Sequence, residues 1–451
     1  MTAAATRELA RFVLRSRWSD VPAHVRHEAV RAFVNWVGCA IGGAAHPAVD
    51  SAVATLAELS DSSRCDLLGR AERLGPLDAC LVNGLSASAH AYDDTHLSTI
   101  GHPTAPTVAA LLAQAQLRTA GGAEFLHAVV LANELQTRLS AALALPPAHC
   151  HVGLYMTGLT GAAGVAGAVA RLMSLDEQQT IRAIGTGATQ GGGFRATHAS
   201  MCSGFVPAHA GRSGLLAARL AAHGFSCSDA ALEATNGFLD VYGQPPNVGA
   251  LTQGLGEHWE CMNVAAKPYP AGCFIHPTID ACLQVGNAHD LRPDDIERVD
   301  LRVHRLGLGL TGKQQPQHAY DAQVSVYHWA AATLQRRRAG LAEAADACVH
   351  DPSVVRLRQR VVAEVDESLG PDEATVVVTL RDGRRVQARV SPCLGSAGRP
   401  MNDAQIEQKF IDQAEPVLGA SPARELVARC WTLEAAPDVA RAVFDPPSHH
   451  A

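Results

Sequence analysis

Over roughly the first 260 residues Ala, Leu and Val recur at steps of three and four, with Gly or Pro interrupting the pattern every 15 to 25 residues. That spacing predicts a succession of helices, as in "PAHVRHEAVRAFVNWVGCAIGG", "GAEFLHAVVLANELQTRLSAALAL" and "GAAGVAGAVARLMSLDEQQTIRAIGTGA". So much Ala and Gly lets helices approach closely, which favours a compact all-α body. The period then changes. "IERVDLRVHRL" and "ATVVVTLRDGRRVQARV" alternate apolar with polar positions and predict strands, the latter a hairpin turning at "RDGR". Between them "DAQVSVYHWAAATLQRRRAG" and "DPSVVRLRQRVVAEVD" return to helical spacing, and from "RPMNDAQIEQKF" onward the chain is helical again.

The expected fold class is therefore mainly α: a large, discontinuous all-helical domain over 1–266 and 401–451, with a smaller α+β lid domain over 267–400. A cleft between the two is where a ligand is expected. The glycine-rich "GATQGGGF" lies in helical context and reads as a close-packing bend, not a phosphate cradle. Neither a P-loop nor GxSxG is present, which leaves nucleotide-phosphate and serine-hydrolase chemistry without a motif.

With 451 residues, 47% of them hydrophobic, the chain can bury a sizeable core. A formal net charge of −7 and only three lysines, Lys267, Lys313 and Lys409, give no nucleic-acid footprint. No apolar run reaches the roughly 18 residues of a membrane span, and the opening "MTAAATRELARFVLRSRW" reads as a first amphipathic helix, so a cytoplasmic location without membrane partners is expected. Twelve scattered cysteines without a CxxC pair read as reduced thiols. "HCH" at 149–151 has no second ligand cluster, so no metal is expected.

Four segments gather polar side chains beside backbone breakers. "AHAYDDTHLSTIGHPTAP" carries Asp93, Asp94, Thr95, His96 and His102; "HCHVGLYMTGLTG" carries Tyr155 and Thr157. "RATHASMCSGFVPAHAGRSG" carries Arg195, His198, His209 and Arg212; "KPYPAGCFIHPTIDA" carries Lys267 and Tyr269 before a helix starting near His276. "YDDTH" reads equally well as a capped helix end or as site chemistry. His102, in "GHPTAP" at the mouth of a helix, sits where N–H groups and the dipole favour an anion. Lys267 lies between the helical body and the strand region, where a cation can hold a carboxylate.

The order of "AFVNWVGCAIGGAAHP", "LVNGLSASAHAYDDTH", "GHPTAPTVAALLA", "TGLTGAAGVAGAVARLMSLD", "HAGRSGLLAARLAAHGF", "KPYPAGCFIHPTIDA" and "RPMNDAQIEQKF" resembles the MmgE/PrpD family from about residue 8 to 420. That family includes 2-methylcitrate dehydratase, cis-aconitate decarboxylase and iminodisuccinate epimerase. The resemblance implies a homodimer with a cofactor-free site for small carboxylates, and chemistry that removes a proton beside a carboxylate. The family's threonine, H-P histidine and Y-P lysine fall on Thr95, His102 and Lys267, and its T-K-x-x-H histidine on His209. Three other family groups do not: the leading aspartate of D-[FY]-D-D-T falls on Ala91, the histidine of G-[FW]-H-x-T on Tyr155, and the lysine of T-K-x-x-H on Val206.

The expected catalytic set is His102, Lys267, Tyr155 and Asp93, and the expected substrate contacts are Thr95, His209, Arg195 and Tyr269. His102, with a pKa nearer neutrality, is the expected base. A phenol suits Tyr155 to the acid's role, and Lys267 is expected to bind the carboxylate. The predicted activity is a dehydratase-type acid–base lyase without a cofactor, with epimerisation, decarboxylation or carboxylate binding without turnover as alternatives. Losing a lysine at 206 predicts a substrate with fewer carboxylates than a tricarboxylate.

Overall fold

The first helix, Ala5–Arg15, forms because Ala5, Leu9, Ala10 and Val13 fall on one side, where all four are buried. In the computed structural model, which describes residues 4–289 and 291–445, the chain is mainly helical, with a small α+β portion toward the C-terminus. The Met156–Leu172 and Cys202–Ala222 helices show what the small residues are for. A Cβ at Gly214 would lie 2.6 Å from Val165 Cβ and 2.7 Å from the Ala162 carbonyl oxygen. Any side chain at 214 would force these two helices apart.

Of the four apolar clusters among the described residues, two are the largest. The larger joins Val25, Phe33 and Trp36 to Leu111, Leu126 and Val169, and takes in Ile406, Phe410 and Leu426 from the C-terminal helices. The C-terminal segment thus returns to the helical core, entering through the Asp403–Leu418 helix capped reciprocally by Asn402 and Gln405. The second core lies within Tyr269–Cys393 and includes Ile279, Val299, Trp329 and Val376.

Among the described residues two strand pairs and one four-stranded sheet punctuate the helices: β1 (Cys65–Asp66) with β2 (Arg73–Leu74); β3 (Asp94–His96) with β4 (Val264–Ala266); and β5 (Ile296–Val303), β6 (Val361–Val365), β7 (Ala374–Leu380) and β8 (Arg385–Val390) in one sheet. The sheet order is β6-β5-β7-β8, with β5 and β6 parallel and the other pairs antiparallel. The β7–β8 hairpin turns where "RDGR" predicts it, with Gly383 at φ +87°. Along β7 alternate residues are buried, from Ala374 to Leu380, as its period of two requires.

Two sequence expectations are corrected. Helical spacing was predicted through "DPSVVRLRQRVVAEVD", but helix holds only for Pro352–Arg358; its valine-rich second half is β6. β-branched residues suit a pleated surface, and register with β5 (Val299 opposite Val361) decides the matter. Asp94–His96 is not a helix end but a strand, antiparallel to β4 with Asp94 opposite Ala266. This pairing draws "YDDTH" and "KPYP" together across more than 160 residues of chain.

Lys409, carried by the returning C-terminal helix, locks the junction. Its buried ammonium donates to Asn35 Oδ1 and the Tyr92 carbonyl, both at 2.6 Å, and to the Lys267 carbonyl at 2.9 Å, and lies 4.0 Å from the Tyr92 ring centroid. Burial pulls its pKa down to about 8. An ammonium is costly to bury, and three oxygen acceptors plus an aromatic face offset that cost. Substituting Lys409→Met should cost at least ~2 kcal/mol, because buried acceptors lose their donor; the measurement is the denaturation midpoint in urea.

Candidate active site

His102 stands just before the Thr104–Ala115 helix, and its orientation is fixed from three sides. Its backbone N–H donates to Thr157 Oγ1 at 2.7 Å, while its ring Nδ1 is 2.7 Å from the Asp94 carbonyl and 3.3 Å from Thr95 Oγ1. A carbonyl can only accept, so the proton resides on Nδ1 and Nε2 keeps its lone pair. Nε2 has no hydrogen-bond partner among the described residues, and His102 lines a cavity of about 670 Å³, measured to its open mouth. The same end of the β3–β4 pair, one residue past Ala266, brings in Lys267, whose Nζ lies 2.7 Å from Asp93 Oδ1, with both side chains almost fully buried. The second carboxylate oxygen of Asp93 is 3.9 Å from His102 Nδ1.

Tyr155 enters at the start of the Met156–Leu172 helix and is flanked edge-on by two imidazoles. Its ring centroid is 5.9 Å from that of His102 and 4.8 Å from that of His198. The loop carrying His198 is tied to this segment: the Tyr155 N–H donates to the Gly193 carbonyl, and the Arg195 N–H to the Gly153 carbonyl. Arg195 Nε donates to the Leu154 carbonyl at 3.2 Å, leaving its terminal nitrogens without a protein partner among the described residues. His198 lines the cavity, and its buried Nε2 is likewise unpartnered.

Burial sets the proton affinities. It drives His102 down to about 4, with the Lys267 charge acting in the same sense and Asp93 opposing it. His198 is also lowered to about 4, by burial and then by Arg195. Burial, then the Asp93 charge, raises the Tyr155 hydroxyl far above the ordinary tyrosine value, so it stays protonated. For Asp93 burial pushes upward, but Lys267 and His102 together outweigh it and hold the carboxyl below its usual value. Asp94 behaves differently. Burial raises it to about 7; Thr104 moderates the rise, yet neither Asp94 side-chain oxygen has a partner in hydrogen-bond geometry.

The cavity thus brings together His102, Tyr155, Lys267, Asp93 and Arg195 from the expected set. Thr95 lies behind His102 and supports its ring instead of facing the cavity. Two expected contacts are displaced. His209 is on the exposed side of its helix, stacked on Phe205 with centroids 5.6 Å apart; helical period puts Ala208, Ala210 and Gly211 inward and leaves 205, 209 and 216 outside. Tyr269 is turned into the second core, where its hydroxyl donates to Asp280 Oδ1, and Asp280 also accepts from the Leu394 N–H and Arg399.

Other cavity residues had no motif to reveal them. Ser88 contributes a buried, unpartnered hydroxyl, and Phe274 and Gln323 come from the segment between β4 and β5 and the segment between β5 and β6. Gln323 reaches across to donate to the Ala89 carbonyl at 3.1 Å. Val206, at the position of the family lysine, does not line the cavity. It fills a niche between two glycines: a Cβ at Gly158 or Gly193 would lie 2.5 or 2.7 Å from Val206 Cγ1.

Comparison with known proteins shows the family of the chain. The MmgE/PrpD N-terminal domain model matches residues 7–250 and the MmgE/PrpD C-terminal domain model residues 269–433. The chain belongs to the MmgE/PrpD family. It is 24% identical to the cis-aconitate decarboxylase-like protein oryM of Aspergillus oryzae, over 96% of this chain and 95% of that protein. It is 23% identical to a cis-aconitate decarboxylase of Aspergillus terreus (93% and 91% covered), and 25% identical to the human cis-aconitate decarboxylase (80% and 77% covered).

The Asp94 carboxyl makes a prediction about stability. In the unfolded chain it ionises above its ordinary 3.8, while in the fold it holds its proton to about 7. Its contribution is therefore fully present below 3.8 and is lost as pH rises through about 7. Asp94→Asn, which keeps the shape without the charge, should be more stable than the parent at pH 8 and much less so at pH 5, measured as paired urea midpoints.

Proposed function

We propose that this protein is a cofactor-independent acid–base lyase of the dehydratase type acting on a small hydroxy- or unsaturated carboxylate. One observation carries the reading: His102 is locked with Nδ1 donating to a carbonyl, so that a neutral imidazole offers Nε2 to a cavity that also holds Lys267 and Arg195. Such a base can take a proton from the carbon beside a carboxylate, while the uncompensated Arg195 cation stabilises the enolate-like charge that develops.

The remaining parts follow from their environments. In dehydration the C–H bond breaks toward His102, and the C–O bond breaks as the departing hydroxyl takes a proton from Tyr155. The products are water and an unsaturated carboxylate. Burial suits Tyr155 to this task, since a phenol kept protonated donates but does not abstract. The imidazolium then returns its proton to the neighbouring phenolate, and the enzyme is restored. Asp93 balances the Lys267 charge and steadies the His102 side of the site.

Decarboxylation is the second reading, favoured by the names of the relatives; there a proton would be returned to the carbon that has lost carbon dioxide. The division into a helical body over 1–266 and 401–451 and an α+β lid over 267–400 is part of the same proposal, supported by the two separate apolar cores. A homodimer is supported by the exposed apolar stripe of Phe205 and Leu216 along one helix.

The test is NMR-monitored incubation in D₂O with hydroxy- and unsaturated carboxylates, including cis-aconitate, 2-methylcitrate and iminodisuccinate. Deuterium entering beside a carboxylate with loss or gain of water supports the lyase; exchange alone supports an epimerase; no exchange with any of them overturns acid–base turnover. His102→Gln should lower kcat/KM at least ~10²-fold with the fold retained, on the scale of a positioned base. Because the base works unprotonated, the acidic limb of kcat/KM for the parent should fall near pH 4, not near the ordinary histidine value of 6.5.

A further inference from the structure

The charges inside the cavity nearly cancel. Lys267 and Asp93 neutralise each other at 2.7 Å, and with His102 and His198 both lowered to about 4 neither imidazole carries charge near neutrality. Arg195 remains: it is partly buried, and its charge has no acidic neighbour, its electrostatic partners being Tyr155, Cys273 and Cys150. One uncompensated cation in a partly enclosed site matches one carboxylate. A second or third would be stripped of water without a partner, which is costly.

Beside the uncharged polar groups of Ser88, Ser203, Thr311 and Gln323, much of the remaining wall is apolar. Ile100, Ala199, Phe274, Leu310 and Val324 line the same cavity as Arg195. Position 206, where a lysine would add another cation, is a partly exposed valine packed against Gly158 and Gly193, and it does not line the cavity. The aspartate position of the family is Ala91, which lines the cavity as a methyl group.

We infer that the substrate of this site is a monocarboxylate bearing an apolar substituent, its carboxylate held by Arg195 and its hydrocarbon portion against Ile100, Phe274, Leu310 and Val324. This inference rests on the acid–base reading only for which end reacts: the carbon beside the carboxylate is the one presented to His102. It sets this chain apart from enzymes of tricarboxylates by what the pocket binds, whatever reaction follows.

Binding of unreactive saturated acids tests it apart from turnover. Isothermal titration would compare 3-methylbutanoate and 3-phenylpropanoate with propane-1,2,3-tricarboxylate, using the full chain and its Arg195→Gln, Arg195→Lys and Leu310→Asp variants. The expected result is at least tenfold tighter binding of the apolar monocarboxylates than of the tricarboxylate. Arg195→Gln should weaken the monocarboxylates at least tenfold, with Arg195→Lys recovering part of the loss, and Leu310→Asp should weaken them as well. Equal or tighter binding of the tricarboxylate by the parent overturns the inference, as does unchanged monocarboxylate affinity in folded Arg195→Gln. Deuterium exchange on a tricarboxylate would retain the acid–base reading while removing this one. Monocarboxylate binding without exchange on any acid would do the reverse.

Discussion

A single buried ammonium, Lys409 Nζ, ties together the parts from which the cavity is made. Its acceptors belong to the Ala23–Gly42 helix, to the residue before Asp93, and to Lys267 itself. None of these segments is near Lys409 in sequence, and two carry side chains of the site. The β3–β4 pair aligns Asp93 and Lys267 side by side, and Lys409 fixes that pair against the helical core. Isolated short strand pairs are marginal, and this one is held by Lys409 together with the Lys267–Asp93 pair at one end and the His96–Glu260 pair at the other.

Around that anchor the protein separates the jobs of two kinds of charge. Lys267 and Asp93 form a buried pair in which each compensates the other, and removing one would leave the other stranded in a poorly solvated interior. They therefore set geometry and local field as much as they meet a ligand. The titratable groups facing the cavity, His102, His198 and Tyr155, are all held in their uncharged forms by burial.

The sequence made the helical body, the β7–β8 hairpin and the return of the C-terminal helix legible, because each rests on local periodicity or turn chemistry. It did not reveal β3, whose three residues become a strand only through a partner more than 160 positions away. It also misread β6, where valines at helical spacing fit a sheet edge equally well. In the site, His102 and Lys267 were legible from their unusual neighbours. Tyr269 misled because adjacency to Lys267 in sequence does not survive the turn that sends its hydroxyl to Asp280. Ser88, Phe274 and Gln323 carry no signal of their own: only tertiary folding makes them neighbours of the cavity.

Ala91 is in the left-handed backbone region at φ +50°, and it lines the cavity. A β-carbon makes that conformation unfavourable by roughly 1–2 kcal/mol, and aspartate or asparagine tolerates it better because the side chain can bond the local backbone. The cavity wall at this point is thus a methyl group held in a conformation that an aspartate or asparagine would adopt at lower cost. A polar side chain placed at this position would meet the cavity directly and with less backbone strain than alanine, so the character of the wall here can change without any change of fold.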